Sequence, residues 1–354
     1  MVARSKFRPA LIVSTLLLGF CLTAALAQTP APTASPTPAG PPVEVPHADP
    51  NILYIGRWDR TNPAVAQGNW NGHYFRTKFT GSKVGIRVDA PTLLAVSIDG
   101  EPFRTVSAAP GKIVELHDKP LRGKEHTLQV GSAGQNYRVA FKGLTLEEGA
   151  QTLPPSERQI IEFIGDSITT GTNANYAWMA AEMLGRDHTQ IAFSGVALTD
   201  GYGCTSKTGM EVQYFRKHNY NHEKSPEEFT VPWDFSIYTP EMVVILLGQN
   251  DQCGKATPDA FVAGYKRLVS GIRAKFPKAP IVMLRTLGGP YEKEIRQAWE
   301  EIHKGDPNVH HVDTTGWLSR EDFADGVHPG AGGHLKLARL LANQLEAILE
   351  DKKP

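Results

Sequence analysis

Every common metal and nucleotide signature is missing from the chain: there is no Cys-x-x-Cys pair, no His-Glu-x-x-His, and no glycine-rich phosphate cradle between a strand and a helix. Gly330-Ala-Gly-Gly333 has no Lys-Ser/Thr after it and reads as the entry loop of a helix. No cofactor and no metal are expected. An excess of either charge is missing too, with 37 Lys+Arg against 37 Asp+Glu in 354 residues. That balance removes the bulk attraction by which proteins bind nucleic acid or anionic membranes, so a neutral or small polar substrate fits better. Cysteine is scarce, at three residues: Cys21, Cys204 and Cys253.

The N-terminus begins Met-Val-Ala-Arg-Ser-Lys-Phe-Arg and continues as an apolar run from Ala10 to Leu26, then reads Ala25-Leu26-Ala27. A basic start, an apolar middle and an Ala-x-Ala site predict a secretory signal peptide over 1–27, and hence export to the periplasm or the outside. An uncleaved anchor is the alternative, although the run is only marginally long enough to span a bilayer. Phe20, rather than a small residue, precedes Cys21, which argues against a lipoprotein. Cleavage would leave Cys204 and Cys253 alone in an oxidising compartment, where they are expected to pair. Residues 28–46 are Thr, Pro, Ala, Ser and Gly with almost no large apolar side chain, the composition of a spacer.

Two textures follow. Over 47–150 short alternating runs such as Phe75-Arg-Thr-Lys-Phe79 and Val84-Gly-Ile-Arg-Val88 are broken by Gly81-Ser82, Asp99-Gly100 and Pro110-Gly111. Period-two alternation with turns every ten residues or so predicts an antiparallel β-sandwich. Over 156–352 apolar strands (Ile160–Ile164, Gln190–Phe193, Met242–Leu247, Ile281–Leu284, Val309–Val312) alternate with helical segments, including Tyr176–Leu184, Asp259–Lys275 and Gly333–Glu350. That pattern predicts an α/β domain whose parallel sheet is covered on both faces, with reactive groups beyond the carboxyl ends of its strands.

Those strand ends carry the chemistry. The first ends in Gly165-Asp166-Ser167, a serine at a strand-to-helix turn with backbone N–H groups free beside it. Helix capping by Asp166 or Ser167 is an equally ordinary use of the tripeptide. The second strand ends in Ser194-Gly195, the third in Gly248-Gln249-Asn250-Asp251, and near the C-terminus stands Asp325-Gly326-Val327-His328. Acyl transfer needs a nucleophile, a base, a group that orients the base, and donors for an oxyanion; each has a candidate here.

The order Ser167, Gly195, Asn250, Asp325, His328 resembles the block order of the SGNH/GDSL hydrolases, whose α/β/α domain is flavodoxin-like. The resemblance implies Ser167 as nucleophile, His328 as base and Asp325 as its orienting carboxylate. It further implies an oxyanion hole made by Ser167, Asn250 and a donor from the second block. Relatives carry Ser-Gly-x-Gly there, whereas this chain has Ser194-Gly195-Val196-Ala197, so Gly195 and Ala197 both remain open as that donor. Asp251 reads as a structural acceptor, and His334 as a surface or packing position.

Tyr54-Ile-Gly-Arg57, Trp70, Phe79-Thr-Gly81, Ile98-Asp-Gly100 and His126-Thr-Leu128 are similar to the N-terminal jelly-roll of carbohydrate esterase family 2. That resemblance implies removal of acetyl groups from polysaccharides, with an acetylated carbohydrate as substrate. Trp70 as core and Arg57 as a surface or inter-domain ion-pair partner are the ordinary readings of those residues. Sugar binding uses aromatic faces, and Tyr202, Trp233 and Trp317 are expected in loops around the site. The polar stretch from Gly201 to Phe235 reads as an insertion bordering it. A general short-chain esterase or lipase, and a glycan-binding protein with a silent hydrolase domain, are the alternatives.

Overall fold

The computed structural model describes residues 40–134, 138–171, 173–219 and 229–351, so the expected signal peptide lies outside the described residues, as does most of the spacer. The spacer ends earlier than expected, because Val43–Pro46 pairs antiparallel with Ala140–Leu146. The sandwich likewise continues past residue 150, since Thr152–Leu153 pairs with Tyr74–Thr80. Val43-Glu-Val-Pro46 alternates but is only four residues long and closes on proline, which a strand at the end of a sheet accepts.

Among the described residues, two antiparallel sheets of six strands form the sandwich. Period-two alternation supplies its core: along Glu125–Ser132 the side chains of His126, Leu128 and Val130 point inward, to a cluster that includes Phe75, Phe79, Ile86 and Phe141. At the Asp99-Gly100 turn both residues have positive φ, +54° and +75°, the conformation that a tight hairpin requires. Asp99 is held in it because its carboxylate accepts from Thr127 N–H at 2.8 Å and lies 2.6 Å from His126 Nδ1.

The second half is one five-stranded parallel sheet, in the spatial order Asp187–Ala192, Ile160–Gly165, Met242–Leu246, Ile281–Leu284, Val309–Val312. This is the 2-1-3-4-5 order of flavodoxin-like folds. Alternate side chains of the central strand serve opposite faces. Val243 and Ile245 pack with Phe261, Leu268 and Ile272 of the helix Pro258–Lys275, whereas Met242, Val244 and Leu246 pack with Leu337, Leu341 and Leu345 of the helix Ala331–Glu350. A charged helix that the apolar pattern does not announce, Glu292–His303, joins the first face through Ile295 and Ala298.

An edge strand normally exposes unpaired backbone, yet all six residues of Asp187–Ala192 are buried. The sandwich covers them. Tyr74 Oη donates to Asp187 Oδ1 at 2.9 Å, Arg76 pairs with Asp187 Oδ2 at 2.6 Å, and Asn71 Nδ2 donates to Ala192 O at 3.0 Å. His188 packs against the rings of Tyr74 and Trp178, which also touch each other, and is held neutral by burial, well below the usual histidine range at about 3.

Arg57, read from sequence as a surface or ion-pair residue, is instead 1% exposed. It donates to the carbonyls of Tyr214 and Arg216, at 2.6 and 2.7 Å, and its guanidinium faces the rings of Trp70, Tyr214, Trp233 and Phe235. Desolvation inside an aromatic box suits a guanidinium better than an ammonium, because its charge is spread over a plane.

Removing one partner of a desolvated ion pair strands the other. Arg76→Ala leaves the Asp187 carboxylate buried with Tyr74 as donor and should destabilise the protein by about 3–5 kcal/mol. Chemical denaturation checks this; a loss below ~1 kcal/mol would show that the seam tolerates an unpaired carboxylate.

Candidate active site

Glycine ends the strand Ile160–Gly165 because a Cβ there would lie 2.0 Å from Thr169 Oγ1 and 3.1 Å from Leu246 O. The chain then makes a single tight turn, in which Thr169 and Thr170 N–H groups donate to Asp166 O at 3.1 and 3.0 Å and Ile168 N–H donates to Asp166 Oδ1 at 2.9 Å. Ser167 stands on this turn, half-buried. The helix that follows, expected over Tyr176–Leu184, runs Tyr176–Met183 and is capped by Asn175. Asn175 also donates to Ile168 O at 2.8 Å, so the cap fastens the serine turn.

The histidine arrives from a loop closed on itself by a bridge between Phe323 and Pro329 and by Ala324 N–H donating to His328 O at 2.8 Å. Inside it Asp325 Oδ1 accepts from the N–H groups of Val327 and His328, at 3.0 and 2.8 Å. Its Oδ2 lies 2.8 Å from His328 Nδ1, and His328 Nε2 lies 2.8 Å from Ser167 Oγ. The His328 and Val327 N–H groups, with the His328 ring, hold the Asp325 carboxyl well below the usual carboxylate range. The site is open: the Asp325 and His328 side chains are 58% and 41% exposed.

Asn250 follows Met242–Leu246 and donates from Nδ2 to Asp166 Oδ2 at 3.1 Å. Asp251 is fully buried and accepts from Leu198 and Thr199 N–H at 2.9 and 3.0 Å, the structural role read from its sequence context. Gly195 has φ +78°, a conformation that disfavours any other residue, and a Cβ on it would lie 2.5 Å from Thr205. The Ser194 carbonyl accepts from Thr205 Oγ1 at 2.8 Å, which turns the Gly195 N–H of the same trans peptide away from Thr205. Gly195 is partly exposed, whereas Ala197 is wholly buried and its carbonyl accepts from Met210 N–H at 2.8 Å.

Cys204 and Cys253 form a disulfide with their Cα atoms 5.2 Å apart. It sits between the two donor loops. Cys204 N–H donates to Gly195 O at 2.9 Å, Cys253 N–H donates to Asn250 O at 3.1 Å, and Cys204 Sγ lies 3.2 Å from Asn250 Oδ1.

The aromatic residues divide. Trp233 is 5% exposed with its ring against Arg57, which corrects its expected place as a sugar platform: it is packing at the seam. Tyr202 and Trp317 are half-buried, Tyr202 beside Gly254 on the disulfide-linked loop and Trp317 against the cluster beneath the helix Ala331–Glu350. His334 is not a rival base. It stacks on Tyr176, accepts from Tyr176 N–H at 3.3 Å, and burial lowers its ring to about 4. Sequence reasoning missed the burial of Asp166; the tripeptide names the residue but not its surroundings. A cavity of about 560 Å³ lies elsewhere, along Tyr176–Met183 beneath the sandwich, and neither Ser167 nor His328 lines it.

Residues 163–336 match the GDSL-like lipase/acylhydrolase family, and residues 54–155 match the carbohydrate esterase 2 N-terminal family. The cellulase/esterase CelE of Acetivibrio thermocellus is 29% identical over 336 residues, covering 86% of this chain; the chain spans 40% of that relative's length. The acetylxylan esterase / glucomannan deacetylase of Cellvibrio japonicus is 22% identical over 78% of this chain and 84% of its own. Among solved structures, a family two carbohydrate esterase from Clostridium thermocellum in complex with cellohexaose is similar with TM-score 0.74 and 26% identity, covering 84% of this chain and 99% of that one. With an acylhydrolase segment following the matching N-terminal segment, the chain belongs to the SGNH/GDSL hydrolases and is most like carbohydrate esterase family 2.

Proposed function

We propose that this protein is an exported serine esterase that removes acetyl groups from a polysaccharide or oligosaccharide. The observation that carries the reading is the unbroken relay from Asp325 through His328 to Ser167, each link 2.8 Å, with Asn250 and Gly195 beside the serine turn. Ser167 Oγ adds to the ester carbonyl carbon while its proton passes to His328 Nε2. The carbonyl oxygen becomes an oxyanion, met by the N–H of Ser167, the amide of Asn250 and the N–H of Gly195. Collapse breaks the bond to the sugar oxygen, which takes the proton from Nε2 and leaves acetyl-Ser167. Water, deprotonated by His328, repeats the addition; acetate departs and Ser167 regains its proton.

Gly195 is the second-block donor in this reading because it is partly exposed and its N–H faces away from the insertion, whereas Ala197 is buried. The substrate class is supported by the relatives' names, with acetylxylan and glucomannan named for one and a bound cellohexaose for another. Exposure of the triad favours a small acyl group on a bulky polymer over a long acyl chain, which needs walls to bury it. Tyr202 and Trp317 are the aromatic rings left to meet sugar. The intact relay favours turnover over a silent binding domain.

Ser167→Ala should abolish acetate release from acetylated xylan, glucomannan and 4-nitrophenyl acetate while circular dichroism stays unchanged; activity near that of the parent would remove Ser167 as nucleophile. His328→Ala is expected to lower kcat by about 10⁴-fold or more, and Asp325→Ala by about 10²–10³-fold, because the aspartate orients the ring but transfers no proton. Equal losses in the two variants would contradict that division.

The disulfide closes a sequence separation of 49 residues, for which chain entropy predicts up to about 4 kcal/mol of stabilisation. Replacing both cysteines by serine should lower stability toward that extent and reduce kcat several-fold with KM little changed. Denaturation and steady-state kinetics check the two parts separately.

A further inference from the structure

Beside the nucleophile lies a carboxyl group that the acyl-transfer steps leave unused. Asp166 is 1% exposed, and each of its oxygens accepts one hydrogen bond, Oδ1 from Ile168 N–H at 2.9 Å and Oδ2 from Asn250 Nδ2 at 3.1 Å. The first bond shapes the turn that carries Ser167. The second fixes the plane of an amide whose remaining hydrogen is needed at the oxyanion. Both bonds require an acceptor, and a proton on Oδ2 would face the Asn250 amide donor to donor.

We propose that Asp166 is a positioning residue for the esterase reaction: as a carboxylate it aims the Asn250 amide at the oxyanion, and its protonation releases that amide. This rests on the reading of Ser167 as the nucleophile. Asp166 acts through Asn250 and touches no reacting atom.

The groups around Asp166 bear on when it ionises. From the histidine loop comes His328, whose charge favours the carboxylate; Asp325 stands on the far side of that ring. From the turn after Met242–Leu246 comes Asp251, whose charge opposes it. Tyr176 from the helix Tyr176–Met183 and Tyr265 from the helix Pro258–Lys275 are buried phenols raised above their usual range, so they stay neutral. Burial outweighs the rest and raises Asp166 to about 7. The sign follows: the positioning carboxylate forms as pH rises through neutrality and is lost below it. His328 must also be free of its proton to act as base. Two groups therefore shape the acid limb of kcat/KM, which should be steeper than one ionisation allows.

A further consequence separates positioning from plain structural support. With its folded pKa raised, Asp166 holds a proton in the folded state that the unfolded chain releases, so its contribution to stability falls as pH rises between about 4 and about 7. A neutral replacement should not lower the thermal midpoint more at alkaline than at acid pH.

The test is Asp166→Asn in the full chain, assayed on 4-nitrophenyl acetate from about pH 5 to about pH 9, beside Ser167→Ala, Asn250→Ala and the double variant Asp166→Asn/Asn250→Ala. Asparagine offers one acceptor oxygen where two are needed. The expected result is a kcat lowered about 10–100-fold, less than outright loss of an oxyanion donor, with KM within about twofold and an acid limb of single slope. In the Asn250→Ala background the same change should add little, since the residue it acts through is gone. A kcat within about twofold of the parent, or additive losses in the double variant, would overturn the proposal. If Asp166→Asn does not fold, the parent's own acid limb decides, and a single-ionisation slope there overturns it. Ser167→Ala separates the two readings: an inactive Ser167→Ala beside an active Asp166→Asn sinks this inference alone, whereas an active Ser167→Ala removes Ser167 as nucleophile and with it the reading on which the inference rests.

Discussion

Parallel pairing of Ile160–Gly165 with Met242–Leu246 is the constraint on which the site depends. Gly165 stands opposite Leu246, so the chain leaves both strands at one height, and the turn of Asp166 and Ser167 emerges beside Gly248, Asn250 and Asp251. These two strands flank the place where the sheet's order reverses, with Asp187–Ala192 on one side and Ile281–Leu284 and Val309–Val312 on the other. Crossover connections that run to opposite faces leave a crevice there, which accepts polar groups without burying them in the core. A shift of register would separate Ser167 from Asn250 and turn the strand's alternating side chains to the wrong faces. The fully apolar Met242–Leu246, buried on both sides, makes such a shift costly.

The sandwich acts on the same constraint from behind. It covers the otherwise open edge of the sheet, and its reach extends into the insertion that supports the oxyanion loops. Arg57 grips the carbonyls of Tyr214 and Arg216, Trp70 Nε1 donates to Lys217 O, and Asn219 Nδ2 donates to Asn69 O. At its other end that insertion carries Cys204 and Thr205 against Gly195. Cys204 and Thr205 thus press on Gly195 from a segment whose far part is fixed by hydrogen bonds to the sandwich and whose near part is tied by the disulfide to the Asn250 loop. A site held on rigid supports keeps its donors in place before the oxyanion forms.

Much of this was legible in the sequence because it rests on local pattern. Alternation over Tyr74–Thr80 and Glu125–Ser132 announces a sheet with one face inside, and unbroken apolar runs at Met242–Leu246 and Ile281–Leu284 announce a parallel one. Ser167, Gly195 and Asn250 stand just past the ends of the first three strands in chain order, Asp325 and His328 in the loop before the last helix, and the fold brings Ser167, Asp325 and His328 into one relay with Asn250 and Gly195 alongside. What was not legible depends on partners far along the chain. Trp233, an aromatic in a polar stretch, looks like a sugar platform until Arg57 of the sandwich is seen against it. Glu292–His303 hides its nature because only Ile295 and Ala298 of its twelve residues are buried. The strand Val43–Pro46 alternates over only four residues and closes on proline, so its partner, Ala140–Leu146, defines it more than its own short pattern does.

Three aspartates around the site show how surroundings, and not residue type, assign a role. Asp325 is more than half exposed and still holds its charge tightly, because two backbone N–H groups and the His328 ring converge on it. In contact with water, its field at the imidazolium is screened, so orienting the ring outweighs stabilising its charge. Asp166 and Asp251 are buried, and loss of water raises both, so their charge is costly and must be justified by the donors they hold. Asp251 secures the loop after Gly195, and Asp166 secures Asn250. The exposed carboxylate therefore serves the proton path, while the two buried ones serve the geometry of the oxyanion. Because the desolvated charges repel each other and are expensive to maintain, the stability of the fold and the readiness of the site pull in opposite directions as pH rises.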